Sequence, residues 1–207
     1  MKLIAITAET FFEREAEAVN LLFENGLEVL HFRKPCASSY ETKSFIEQIK
    51  ADFHSRMVLH DCYELAKLFD LKGIHLNRRN REAFMNNSLC DERKLSISRS
   101  CHSLEEVLEA RFCDYVFLSP IFDSVSKTGY KQAFTPQQLA EAKERQIIDE
   151  SVIALGGITA ENIPVAHRYG FGGVAVLGSL WNGFAVDRNV NELLKRFKEL
   201  KNKCIIE

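Results

Sequence analysis

Eight short apolar runs recur along the chain, at residues 3–7, 28–32, 57–60, 73–76, 94–98, 114–118, 152–155 and 173–177. Each is close to continuous in hydrophobicity rather than alternating, which is the pattern of a strand buried on both faces of a parallel sheet. Between them, residues 13–24, 39–53, 63–69, 104–110, 135–144 and 160–169 carry apolar side chains three and four apart and read as helices that bury one stripe. The polar stretch 81–91 gives the weakest helix signal, whereas 190–203 predicts a final helix with its charges on one side. Strand and helix alternate to the end of the chain, and eight such units predict a closed (β/α)8 TIM barrel in preference to an open doubly wound sheet. No linker, repeat or low-complexity tract divides residues 1–207, so one domain is expected.

Composition narrows the partners. A formal charge of −2 and a pI near 6.3 provide no basic surface for nucleic acid or an anionic membrane, so any anion must be bound locally. The opening MKLIAITAET is too short and too interrupted for a signal or membrane segment and reads as the first strand. Six cysteines without C-x-x-C pairs suit reduced thiols in the cytoplasm. Oligomeric state stays open, a homo-oligomer included.

In a parallel barrel, chemistry gathers where the strands end, so residues far apart in sequence form one group. That group holds Arg33 and Lys34 after strand two, His60 and Asp61 after strand three, and residues 77–80 after strand four. Ser100 and His102 follow strand five, and Ser124, Ser126 and Lys127 follow strand six. Gly156 and Gly157 follow strand seven; Gly178 and Ser179 follow strand eight. Paired glycines between a buried strand and a helix let backbone N–H groups approach a phosphate, and turns after strands seven and eight are a recurrent barrel phosphate site. Arg33 can grip an anion with its planar fork and Lys127 adds a compact charge, a pair suited to a pyrophosphate. Asp61 is an oxygen ligand for Mg²⁺, or alternatively a cap for the helix that begins near Tyr63. His102 has a side chain suited to proton transfer, although Ser-Leu-Glu-Glu from Ser103 also simply starts a helix. His75, inside an apolar strand, reads as a satisfied core histidine.

Taken in order, HFRKP, LHDCYELA, GIHLNRRN, SRSCHS, DYVFLSPIFDSVSKTGY and ALGGIT resemble the thiamine phosphate synthase and TenI family of (β/α)8 barrels, over about residues 4–180. The resemblance implies a synthase that joins an aminopyrimidine methyl pyrophosphate to a thiazole phosphate with Mg²⁺ assistance. It places Arg33 and Lys127 on the pyrophosphate, Asp61 on the metal, and Ser100 on the pyrimidine or pyrophosphate. Ser124 and Ser126 would bind the thiazole, whose phosphate would rest on Gly157, Leu177 and Gly178. The chain departs from the family's pattern where metal and pyrophosphate are handled. An Asn-Asp metal pair becomes His60-Asp61, an expected Asp becomes Asn80, and a Lys two places past the arginine becomes Pro35, with Lys34 one place early and pointing elsewhere. The stretch from Arg99 to Glu106 looks closer to the TenI branch, which implies a thiazole tautomerase using His102 as acid and base. A non-catalytic, thiazole phosphate-binding regulatory barrel is the third reading.

Overall fold

A computed structural model describes residues 1–77, 95–123 and 132–205. Its strands are β1 (Lys2–Ile6), β2 (Val29–Phe32), β3 (Met57–Leu59), β4 (Gly73–Leu76), β5 (Ser96–Cys101), β6 (Tyr115–Leu118), β7 (Val152–Leu155) and β8 (Gly173–Val176). They pair in parallel in chain order, and β8 returns to β1 to close the cylinder. Closure removes every sheet edge, which is why a set of short apolar strands can stand without an exposed backbone ladder.

Side chains alternate across the barrel wall. Leu3, Ala5, Leu30, Val116 and Val174 point outward into the layer beneath the helices, while Ile4, Ile6, Tyr115, Phe117, Ile153 and Ala175 pack together inside. The inner filling is not apolar all round: His31, His75 and Ser98 are also fully buried. Their polar atoms are matched across strands, His31 with His60 and Tyr115 and His75 with Ser98, as burial in low dielectric requires. The outer layer is completed by the helix Val190–Cys204, which buries Leu193, Phe197 and Leu200. The amino group of Met1 donates to Cys204 O at 2.9 Å, tying the two ends of the chain together.

The predicted helix over 39–53 is two pieces, an α-helix Ser39–Glu47 and a 3₁₀ turn Ala51–Arg56. Asn20 causes the break, because its side chain accepts from Lys50 N and donates to Gln48 O, taking both groups out of a continuous helix. The fifth strand runs later than its apolar signal suggests. The sequence SISRSC turns polar residues inward, so hydrophobicity alone misplaces its end and puts Ser100 beyond the strand rather than in it. Two short helices, Gly178–Trp181 and Phe184–Asp187, have no counterpart in the sequence pattern. The segment 81–91 lies outside the described residues. Among the described residues, no helix is long and apolar enough to cross a membrane.

Candidate active site

The strand ends carry the expected groups, each positioned by its own local bonds. At β2, Arg33 N donates to Thr7 Oγ1 at 2.8 Å, and that hydroxyl donates back to Arg33 O at 3.1 Å, locking the start of the β2 loop to the end of β1. The Arg33 guanidinium meets Glu9 Oε1 at 2.9 Å with both partners partly exposed, a pair worth at most about 1 kcal/mol and so readily exchanged for an anion. Lys34 turns the other way, as its displaced position in the sequence implies. Its ammonium is buried against Glu15 at 2.7 Å, donates to Thr10 O at 2.8 Å, and lies 4.9 Å from the centre of the Phe11 ring. Burial raises the Glu15 carboxyl and lowers the Lys34 ammonium, each opposed by its partner. Lys34 is therefore a structural cation.

At β3, the ring of His60 lies inside the barrel and Asp61 stands half-buried at its rim. Asp61 does not cap the following helix: the N-cap of Glu64–Leu68 is Tyr63, with no side-chain cap, because Cys62 takes a left-handed turn (φ 54°) that separates Asp61 from the first helical N–H groups. At β5, Ser100 Oγ meets His75 Nε2 at 2.8 Å. His102 Nδ1 lies 3.1 Å from Ser119 O and 3.3 Å from Ser119 Oγ, which fix the orientation of the ring. The capping motif after it is half formed. Ser103 accepts from Glu106 N, but the Glu106 carboxylate accepts from His102 N at 2.6 Å and holds the histidine backbone instead.

The β7 turn takes the conformation the paired glycines predict, with φ 96° at Gly156 and φ 64° at Gly157. Asn162 fixes it by donating to Gly157 O at 2.8 Å while accepting from Thr159 N. On neighbouring β8, Leu177 and Gly178 open the short helix Gly178–Trp181, which is pinned to β1 by Trp181 Nε1 donating to Ile6 O at 2.8 Å. Ser179 Oγ in this turn is buried without a hydrogen-bond partner among the described residues. Ser124, Ser126, Lys127 and Asn80 lie outside the described residues. Beside the first three, Asp123 accepts from Gln132 N at 2.7 Å, so the chain leaves and returns at one point near β6.

Sequence reasoning missed the floor beneath this mouth. His31 Nδ1 meets His60 Nε2 at 2.9 Å, His31 Nε2 meets Tyr115 Oη at 2.6 Å, and His75 Nδ1 meets Ser98 Oγ at 2.9 Å. The available signal was a histidine in or directly after each of three successive apolar strands, β2, β3 and β4. Burial depresses both imidazoles. It takes His75 down to about 3, with the nearby Arg33 charge adding to the effect, and holds His31 well below its ordinary value, with His75 and Lys72 contributing. Each imidazole is neutral in the fold but protonates near pH ~6.5 once unfolded. Stability from this source is therefore present above that pH and lost as pH falls below it. A slope of about 1.4 kcal/mol per pH unit per histidine is expected in metal-free urea unfolding, and a flat profile from neutral to mildly acid pH would refute it.

Comparison with known proteins agrees with this geometry. The family model described as thiamine monophosphate synthase matches residues 3–180. The chain is similar to the crystal structure of a thiamine phosphate pyrophosphorylase from Bacteroides thetaiotaomicron, 40% identical with a TM-score of 0.83, covering 98% of this chain and 97% of that one. It is also similar to the pyrophosphorylase of that name from Pyrococcus furiosus, 25% identical with a TM-score of 0.67 and 96% of each chain covered. A thiamine-phosphate synthase of Limosilactobacillus reuteri is 25% identical over 195 residues, 90% of this chain and 86% of its own length. With the match running from β1 through both glycine turns, the chain belongs to the thiamine monophosphate synthase and TenI family.

Proposed function

We propose that this chain makes thiamine phosphate from an aminopyrimidine methyl pyrophosphate and a thiazole phosphate, releasing pyrophosphate. The observation that carries the reading is an anion-ready rim. The Gly156–Gly157 and Gly178–Ser179 turns stand on adjacent strands, and Ser179 Oγ is buried with no partner among the described residues. The N–H groups of Gly157, Leu177 and Gly178 would receive the thiazole phosphate, with Ser124 and Ser126 against the ring. Arg33, freed from Glu9, and Lys127 would hold the pyrophosphate as the carbon–oxygen bond breaks, and the thiazole nitrogen would supply the pair for the new carbon–nitrogen bond. Ser100 would orient the pyrimidine. Catalysis would come from fixed charges aimed at the departing group.

A magnesium ion suits Asp61, since Mg²⁺ is held by one or two carboxylates with water and phosphate oxygens completing its shell, and Asn80 would add a neutral oxygen. His60, whose ring is bonded to His31, is a nitrogen donor of the kind this ion does not favour. When bound, the ion would neutralise charge on the leaving pyrophosphate. We place the activity in the cytoplasm, in a single barrel unit spanning residues 1–207.

The held orientation of the His102 ring favours a second reading, thiazole tautomerisation with this imidazole as acid and base. Turnover with both substrates, with Mg²⁺ and with EDTA, beside a tautomer assay, separates the two. Mg²⁺-dependent thiamine phosphate formation supports the synthase, whereas tautomer conversion alone, abolished in His102→Ala, overturns it. Arg33→Ala should weaken pyrophosphate binding about 10- to 100-fold, the loss of a charge-assisted contact, and leave thiazole phosphate binding nearly unchanged. Calorimetric titration of each ligand checks this, and equal loss for both would contradict the placement of Arg33.

A further inference from the structure

The histidines of the barrel floor bring their ring nitrogens into one small buried volume. One ring nitrogen from each of His31, His60 and His75 lies within 4.8 Å of the others, and all three rings are buried. His60 and His75 lie nearly parallel at 4.1 Å between centres, and His31 stands edge-on to both. Below them Phe117 packs 4.6 Å from His31 and 5.0 Å from His75, so the cluster sits on an apolar base.

We propose that His31, His60 and His75 form a binding site for a nitrogen-preferring first-row divalent cation of the Zn²⁺ type, distinct in donor chemistry from the oxygen site at Asp61. A neutral imidazole offers one nitrogen lone pair, so the three rings offer one ligand atom apiece. The protein already supplies the outer partners that aim such ligands: Tyr115 Oη holds Nε2 of His31 and Ser98 Oγ holds Nδ1 of His75. In the metal-free fold, the 2.9 Å gap between His31 Nδ1 and His60 Nε2 is bridged by a single proton. A cation would take that proton's place, the proton passing to His31 Nε2, where Tyr115 Oη accepts from it. Tetrahedral Zn²⁺ with bonds of about 2.0–2.1 Å sets its ligands roughly 3.3 Å apart, so that gap opens by a few tenths of an ångström. His75 would close inward and release one of its two serines. Three histidines leave a fourth position facing the mouth of the barrel for water or a ligand. A set of imidazoles without a carboxylate or thiolate favours Zn²⁺, Co²⁺ or Ni²⁺ over Mg²⁺.

The inference does not rest on the proposed reaction, and its test uses no turnover. The full chain, stripped of metal, is titrated with Zn²⁺ by calorimetry and with Co²⁺ by visible absorption. We expect one equivalent of Zn²⁺ bound with a Kd below about 1 µM. Millimolar-range Mg²⁺ should not displace it, and the Co²⁺ spectrum should have tetrahedral intensity without a thiolate charge-transfer band. His31→Gln should lower affinity more than about 100-fold, and Tyr115→Phe, which removes only an outer partner, about 10- to 100-fold. His167→Ala, on the outer surface, should change nothing. Circular dichroism establishes that each variant is folded. No stoichiometric binding to the folded parent chain, binding untouched by both His31→Gln and Tyr115→Phe, binding lost in His167→Ala, or a thiolate band would each overturn the site.

Discussion

Replacing Gly157 with alanine is expected to destabilise the barrel by about 2–4 kcal/mol and to reduce thiazole phosphate binding at least tenfold. The backbone here is left-handed, at φ 64°, which costs a residue with a Cβ about 1 kcal/mol. Space adds the rest. A Cβ would overlap Asp123 O and lie 2.7 Å from Phe122 O, and these are backbone atoms rather than the yielding end of a long side chain. They are held in place, because Phe122 N donates to Gly156 O at 3.1 Å and Asp123 grips Gln132. Relief of the overlap must shift the turn that presents the Gly157 N–H, adding about 1–3 kcal/mol of overpacking strain. Gly170→Ala is the comparison. Gly170 is also left-handed, at φ 86°, but the nearest atom to its Cβ would be the flexible Lys143 side chain at 3.1 Å, so a loss near 1 kcal/mol is expected there. Urea unfolding and phosphate-ligand calorimetry on both variants decide the matter, and equal, mild losses would refute the packing argument.

The second large effect is expected at Lys34. Lys34→Ala should cost about 3–5 kcal/mol, since it leaves the Glu15 carboxylate buried with its ion-pair partner gone. A double replacement, Lys34→Met with Glu15→Leu, should recover most of that loss, because a buried ion pair is replaced by apolar side chains of similar volume. Phe11 and Phe12, which lie 4.9 and 5.6 Å from the ammonium, provide apolar surface for them. Recovery of stability with unchanged pyrophosphate affinity would establish Lys34 as structural. A double variant that is stable but no longer binds pyrophosphate would instead return the lysine to the ligand site.

These two positions show how unevenly the chain's own pattern speaks. Gly156-Gly157 was legible in advance because the need for positive φ is local: a buried strand, two glycines and a helix admit few geometries. Lys34 was legible only as a departure in spacing, and its true partner, Glu15, lies nineteen residues earlier in another element. His102 was visible, but the Ser119 carbonyl and hydroxyl that orient its ring follow the next strand.

Order and type of the main elements followed from the sequence, because continuous apolar runs, periods near 3.6 and the glycine positions are set by neighbours along the chain. The mouth of the barrel was likewise predictable, since the parallel arrangement sends every strand end to one face. What tertiary structure alone decided was the barrel interior. Closure brings β2 through β6 around one axis, and only then do His31, His60, His75, Ser98 and Tyr115, each isolated in its own strand, satisfy one another. A lone histidine in an apolar run cannot declare its partner, because buried polar groups are matched across strands, and that pairing depends on register and curvature that no single segment contains.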